Sequence, residues 1–122
     1  MSVKKYEELI VWQKSMDITE MIYSLVKKLP MEERYDLSSQ MRRAAVSIPS
    51  NIAEGQSRNS TKEFIHFLSI ARGSKAELET QLLICIRLNY LTESEVKESQ
   101  NLLGEIGRML SALIIKLTDS NH

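Results

Sequence analysis

The sequence predicts an all-α protein, an antiparallel up-down-up-down four-helix bundle that forms one domain over residues 1–122. The first observation is composition, because 43% of the 122 residues are hydrophobic and the chain contains only two prolines and four glycines. The second is spacing, since apolar residues recur every three or four positions in four separate segments. The third is that short turn-like stretches separate these segments, which makes successive helices antiparallel neighbours. We expect helices at about residues 7–29, 37–55, 61–88 and 93–118.

Two apolar stripes run along the first predicted helix, about half a turn apart. One stripe is suited to the bundle core and contains Val11, Ile18, Ile22, Leu25 and Leu29. The other is rich in aromatic and Met residues, which concentrate at subunit interfaces, and contains Leu9, Trp12, Met16 and Tyr23. A helix in a monomeric bundle needs only one stripe, so we favour a subunit interface for the second. Cover by a loop or by an adjacent helix of the same chain is the alternative.

The second predicted helix contains a proline in its interior. Its core face consists of Leu37, Met41, Ala44, Ala45, Ile48 and Ile52. Pro49 removes the hydrogen bond to the carbonyl of Ala45 at a cost of roughly 3 kcal/mol, so another contact must stabilise this helix. A narrow strip on a further side is small enough for close backbone approach and contains Arg42, Val46, Pro49 and Ala53. We expect Val46, Pro49 and Ala53 to join the subunit interface.

Two capping boxes mark the start of the third and fourth predicted helices, Ser60 with Glu63 and Thr92 with Glu95. The core faces that follow contain Phe64, Phe67, Leu68, Ala71, Leu78, Leu82 and Cys85, and then Val96, Leu103, Ile106, Leu110, Leu113 and Leu117. Gly55 is placed to end the second helix. Gly73 lies inside the third and predicts close approach of another backbone, because a helical glycine costs roughly 1 kcal/mol.

The residue inventory argues against an enzyme. Only His66 and His122 can supply an imidazole, so a His-based triad or zinc site lacks its parts. Glu63 and His66 stand three residues apart, but a carboxylate di-metal site needs such pairs on several helices. Cys85 lies in the apolar run LLICIRL and is expected to be a small buried hydrophobe. We predict no catalytic residues, no metal site and no cofactor.

The sequence shows neither a targeting signal nor a disulfide framework, which favours the cytoplasm. One cysteine provides no disulfide framework, which favours a reducing compartment. The N-terminus, MSVKKYEELI, lacks the long apolar stretch of a secretory signal, and no window approaches 18 consecutive apolar residues. We therefore expect a cytoplasmic protein without a membrane partner.

Charge is unevenly distributed although the formal net charge is zero. Residues 27–75 hold nine Lys and Arg against five acids, a balance of +4, and residues 76–107 hold two against six, a balance of −4. Solvation or pairing between helix faces is one explanation, and a basic binding surface is the other. The candidates for such a surface are Arg42, Arg43, Arg58, Lys62, Arg72 and Lys75.

Three of these cations carry individual expectations. Arg42 shares the packed strip of the second helix, so we expect it to pair with a carboxylate such as Glu77 or Glu79. Arg43 lies on the polar face and is the better candidate for a phosphate contact. Arg58 lies in the turn, where capping of the preceding helix and ligand binding are both open.

The stretch RRAAVSIPSNIAEG at residues 42–55, followed by Arg58, Ser60, the pair Glu63 and Phe64, and the run 71–74, resembles the signature of the 23S ribosomal RNA intervening-sequence protein family. This family is also called four helix bundle protein. The resemblance extends from LIVWQKSMDI to ELETQLLICIRLNYL, or about residues 6–91. It implies a four-helix bundle that forms a homopentameric ring with electropositive surfaces. Similar accessory proteins of diversity-generating retroelements bind nucleic acid and a reverse transcriptase.

Two functions are compatible with these observations. The first is nonspecific binding of RNA or DNA by a homo-oligomer, in which several weak phosphate contacts act together. The aromatic residues Tyr6, Tyr23, Tyr35 and Tyr90 do not interleave with the basic residues, so base reading is not expected. The second is an assembly or adaptor module that recruits a protein partner, with the arginines in structural roles.

Overall fold

Four helices form a closed bundle in the computed structural model, which describes residues 6–120. They are α1 (Ile10–Val26), α2 (Leu37–Gln56), α3 (Thr61–Arg87) and α4 (Glu93–Ser120), and short 3-10 helices lie at Tyr6–Glu8 and Met31–Glu33. Each helix packs on the next and α4 closes on α1, whereas the diagonal pairs make no backbone contact within the described residues. No strand occurs between residues 6 and 120. The predicted all-α, antiparallel bundle is confirmed.

The first helix is shorter than the sequence predicts. It begins at Ile10, after Leu9 in an extended conformation, and ends at Val26. Residues 27–29 form a turn before Pro30. A proline disfavours the helical conformation of the residue that precedes it, which helps to explain the early end. Leu29 is nevertheless buried, as its place in the core stripe predicts.

The core contains nearly all of the predicted residues. Each helix contributes side chains that are 0% exposed, among them Ile18, Ile22, Met41, Ile48, Ile52, Leu68, Leu78, Leu82, Val96, Leu103, Ile106 and Leu110. Cys85 is also buried, with its Sγ 3.7 Å from the Sδ of Met41. Burial raises the pKa of the Cys85 thiol to about 11, so the unreactive thiol dominates at neutral pH.

A hydroxyl from α1 compensates for the proline in α2. Pro49 has no N–H to donate to the carbonyl of Ala45, which is buried. Thr19 Oγ1 lies 3.2 Å from that carbonyl oxygen and 2.8 Å from the carbonyl oxygen of Ser15. Its single proton is divided between the two acceptors. The contact that the sequence required for the second helix therefore comes from the neighbouring helix.

The two helical glycines near the α2–α3 contact have unexpected roles. A Cβ on Gly55 would lie 2.7 Å from the Cβ of Phe67 and 3.0 Å from a ring carbon of Phe64, so this glycine permits close approach of α2 and α3. The helix continues past it to Gln56. A Cβ on Gly73 would meet nothing within 4 Å. The prediction of a backbone packed against Gly73 is wrong, because that position faces open space.

The carboxylates of Glu33 and Glu95 link the loops at one end of the bundle. Glu33 accepts a hydrogen bond from Tyr90 Oη at 2.8 Å and one from the backbone N–H of Leu37 at 3.3 Å, which caps α2 and joins two loops. Glu95 accepts from the backbone N–H of Thr92 at 2.8 Å, as the predicted capping box requires, and pairs with Lys28 at 2.8 Å. The Lys28 ammonium and the Thr92 N–H lower the pKa of Glu95 to about 2.

Candidate nucleic-acid interface

The structure places the six predicted cations in three locations. Arg42 and Arg43 lie in the first half of α2, Arg58 and Lys62 flank the α2–α3 turn, and the third location is the middle of α3. Fifteen residues of chain separate Arg43 from Arg58, which corresponds to about 22 Å along a helix. A single subunit therefore does not gather the candidates into one basic surface.

Arg58 is occupied by contacts within the protein. Its Nη2 lies 2.6 Å from Oε2 of Glu54, and its Nη1 lies 3.8 Å from Oε1 of Glu63. The guanidinium also stands 4.9 Å from the centre of the Phe67 ring. These contacts fasten the end of α2 to the start of α3 and leave Arg58 a weak candidate for a phosphate. Lys62 is exposed and forms no ion pair with the described residues.

The two adjacent arginines of α2 differ in their contacts. Arg42 Nη2 donates to the carbonyl oxygen of Arg34 at 3.3 Å. The predicted pairing of Arg42 with Glu77 or Glu79 is wrong, because Arg42 lines a groove with Tyr23 of α1 rather than facing α3. Arg43 is exposed and has no ion pair within residues 6–120, so it stays available to a ligand.

A second concentration of cations lies between α3 and α4. This basic groove is lined by Arg72, Lys75, Gly104, Gly107, Arg108, Ser111, Ala112 and Ile115. Arg72 Nη1 donates to Ser111 Oγ at 3.3 Å, and Lys75 Nζ pairs with Glu79 at 3.0 Å. The described residues offer no carboxylate partner to Arg72 or to the exposed Arg108. Two guanidinium groups in this groove are therefore not neutralised.

Glycines of α4 shape the floor of the basic groove. A Cβ on Gly107 would lie 2.6 Å from Cε and 2.8 Å from Nζ of Lys75, so the lysine chain passes over the glycine. The Nη1 of Arg108 lies 3.5 Å from the place of a Cβ on Gly104. Sequence reasoning identified Arg72 and Lys75 but missed Arg108. The sequence did contain a signal for Arg108, because two glycines, Gly104 and Gly107, lie close to it on a fourth helix that is otherwise regular.

The predicted interface residues of α1 are partly covered within the chain. Trp12 is half-buried and meets the ring of Tyr6 edge-on, with 5.4 Å between ring centres. Leu9 is half-buried as well, and the exposed members of the stripe are Met16 at 39% and Tyr23 at 42%. The exposed part of this stripe is therefore smaller than the sequence suggests.

The strip on α2 is also partly covered. Pro49 is buried within the chain, which leaves little of its ring for another subunit, and Ala53 is half-buried. Val46 is 41% exposed and lines a groove of α1 and α2. We call this the apolar groove, and its lining is Tyr23, Ser39, Arg42, Arg43, Val46 and Ser47.

An acidic groove lies between α1 and α4. Its lining is Asp17, Glu20, Met21, Ser24, Glu98, Asn101, Leu102 and Glu105. Lys14 pairs with Glu105 at 2.9 Å. Asp17, Glu20 and Glu98 have no cationic partner among the described residues. The linear sequence does not indicate this groove, because its acids come from helices that are far apart along the chain.

Residues 6–120 contain one histidine and no cluster suited to a metal ion. His66 is exposed and its ring centre lies 5.6 Å from that of Phe67, in an edge-on contact. No group of three or more His, Cys, Asp or Glu side chains in this range is arranged to hold a metal ion. None of the described helices has the length and apolar character that a membrane crossing requires.

Comparison with known proteins places the chain among relatives of the same architecture. A family model described as 23S rRNA-intervening sequence protein matches residues 7–112. The chain is similar to a protein of unknown function from the S23 ribosomal protein family of Bacteroides thetaiotaomicron, with 32% sequence identity and a TM-score of 0.79. That match covers 85% of this chain and 97% of the other. No curated protein matches the chain.

Proposed function

The chain belongs to the 23S rRNA-intervening sequence protein family, and from this premise we propose that it is a non-enzymatic, self-assembling bundle that binds nucleic acid nonspecifically. Membership in the family supplies the fold and names no reaction, so the proposal depends on the surface chemistry of this chain. The observation that carries it is the basic groove, in which Arg72 and Arg108 have no carboxylate partner among the described residues.

The chemistry of the basic groove suits a phosphate backbone. Guanidinium groups match phosphate oxygens with two parallel hydrogen bonds, and Ser111 adds a hydroxyl. The groove presents no aromatic side chain on which a base could stack. Contacts of this kind position a nucleic acid without reading its sequence. Lys62, which is exposed, supplies a further phosphate contact in the proposal.

Self-assembly is the second part of the proposal. The few cations on one subunit support only weak binding, in the millimolar range, whereas several linked copies reach about micromolar affinity. The exposed Met16, Tyr23 and Val46 provide apolar surface for such an assembly. The family resemblance supports a cyclic ring of five subunits.

Fluorescence anisotropy tests the binding directly. Labelled duplex DNA and single-stranded RNA of unrelated sequences are titrated with the protein at low salt. We expect about micromolar affinity, little dependence on sequence, and a log–log salt slope of about −0.9 per duplex phosphate or about −0.7 per single-strand phosphate. No binding at tens of micromolar protein, roughly tenfold above the expected constant, contradicts the proposal.

An adaptor that recruits a protein is the second candidate function. One observation favours it, which is the exposed apolar surface at the end of α3. There Leu83, Ile84 and Leu88 are 54%, 39% and 50% exposed. These residues belong to the apolar run LLICIRL, and within the described residues nothing covers their exposed faces. If the anisotropy experiment fails, the adaptor function is the better one.

A further inference from the structure

We propose that the acidic groove of one copy seats on the apolar groove of the next copy, so that two different sides of the bundle form each subunit contact. This inference rests on the self-assembly proposed above and assigns the surfaces that would carry it. The occupant of each groove is a second copy of this chain. Charge, apolar content and the arrangement of the helices all favour this contact.

Charge complementarity is the first argument. The apolar groove carries Arg42 and Arg43, and neither is paired with a carboxylate of the described chain. The acidic groove carries Asp17, Glu20 and Glu98, and none is paired with a cation of the described chain. Bringing like grooves together would place like charges in contact, which is unfavourable. Bringing the unlike grooves together places the two arginines against the three unpaired carboxylates, so that both arginines gain partners.

Apolar content is the second argument. Tyr23 and Val46 project into the groove that carries the arginines and are about two-fifths exposed, at 42% and 41%. Half-buried Met21 and Leu102 line the acidic groove beneath its carboxylates. Each groove therefore combines an apolar floor with a charged rim of one sign. Stable protein contacts have this organisation, with an apolar centre and a polar rim.

The position of the two grooves is the third argument. Both border α1, so they lie on adjacent sides of the bundle. A contact between two different surfaces closes into a ring when each step rotates the next copy, and otherwise extends as a filament. Adjacent sides of a four-helix bundle face about 90° apart, so such a contact closes after about four copies, and a somewhat wider angle closes after more. The basic groove of α3 and α4 takes no part in the contact and stays open to a ligand.

Charge reversal tests the assignment, with sedimentation equilibrium as the readout. Arg43→Glu and, separately, Asp17→Lys with Glu98→Lys should each raise the dissociation constant of the assembly at least about tenfold, because like charges then meet. The combined triple variant puts one acid on the arginine rim and two lysines on the acidic rim, so opposite charges face each other again and assembly should be restored in large part. The exposed Arg87→Glu and Asp119→Lys serve as matched controls outside both grooves and should leave the mass unchanged.

Each outcome decides the inference. An assembly that survives reversal of the acidic groove overturns it, as does a triple variant that stays at the monomer mass of 14.0 kDa while circular dichroism reports normal helix content. A wild-type chain that sediments as a monomer overturns both this inference and the proposed self-assembly. Nucleic-acid binding is measured separately by anisotropy, so its failure and that of the subunit contact are distinguishable.

Discussion

Helix α3 makes two different contacts, a tight one with α2 and an open one with α4. Against α2, Gly55 lets the backbones approach until a Cβ would meet the Cβ of Phe67 at 2.7 Å. Against α4, Gly107 leaves room that the flexible chain of Lys75 fills. Glycine thus permits close packing of helices on one side of α3 and leaves space for a cation on the other. The α2 side of this helix therefore stabilises the fold, and the α4 side presents charge.

Gly55→Ala should produce the largest change in stability. Phe67 Cβ is fixed to its backbone, so the added methyl can be accommodated only by moving α2 and α3 apart. Overpacking of this kind costs about 1–3 kcal/mol, which more than cancels the better helix propensity of alanine. Urea denaturation measures the free energy of unfolding. An unchanged or higher stability would show that the α2–α3 contact is looser than described.

Thr19→Val tests the contact between α1 and α2, which depends on a hydrogen bond and not on close packing. The change keeps the shape of the side chain and removes the donor that Ala45 O uses in place of the missing Pro49 N–H. We expect a loss of about 1–2 kcal/mol in the free energy of unfolding, the cost of an unsatisfied buried acceptor.

A double-mutant cycle with Pro49→Ala isolates that hydrogen bond. Alanine at this position restores an N–H for Ala45 O, so Thr19→Val should cost less, by about 1 kcal/mol, in the Pro49→Ala background. Equal costs in the two backgrounds would mean that Thr19 does not compensate for the proline.

Gly73→Ala is the counterpart of Gly55→Ala on the same pair of helices. Nothing lies within 4 Å of the place of its Cβ, so only helix propensity changes. The variant should gain about 0.5–1 kcal/mol in the free energy of unfolding. A destabilised variant would reveal a neighbour, such as another subunit, packed on that exposed position.

Gly107→Ala should have the smallest effect on stability and still alter the basic groove. The added Cβ displaces the far end of the Lys75 chain, which can move at little cost. We expect a change within about 0.5 kcal/mol in the free energy of unfolding, because the better helix propensity of alanine offsets the cost of moving Lys75 away from its pair with Glu79. Binding of labelled DNA should weaken because Lys75 is redirected. Equal binding by this variant and the wild type would remove Lys75 from the proposed contact.

The periodic pattern predicted the helices and the core because both depend on local spacing. Buried Ile18, Leu68 and Leu110 were all expected from their own helices. The family resemblance is confirmed by the match over residues 7–112. The end of the second helix was predicted to within one residue, but the close packing at Gly55 was not predicted and that at Gly73 was predicted wrongly. The neighbours of a helical glycine are decided by another helix.

The basic groove could be predicted only in part for the same reason. Arg72 and Lys75 belong to the segment of excess positive charge, so counting charges along the chain included them. Arg108 joins them across the bundle from a helix that is distant in sequence. Arg58 belongs to the same segment, yet contacts with Glu54, Glu63 and Phe67 occupy it. Counting charges along the chain therefore indicates the sign of a surface, but not which residues form it.

The most direct test of the account compares the salt dependence of duplex DNA binding for the wild type and for Arg72→Gln with Arg108→Gln. Removing the positive charges of two arginines should weaken binding and make the log–log salt slope shallower by at least about 1.8, or roughly 0.9 per lost phosphate contact. Arg87→Gln, an exposed arginine outside the groove, should retain the wild-type slope and affinity. If the double variant binds with the affinity and salt slope of the wild type, the basic groove does not bind nucleic acid.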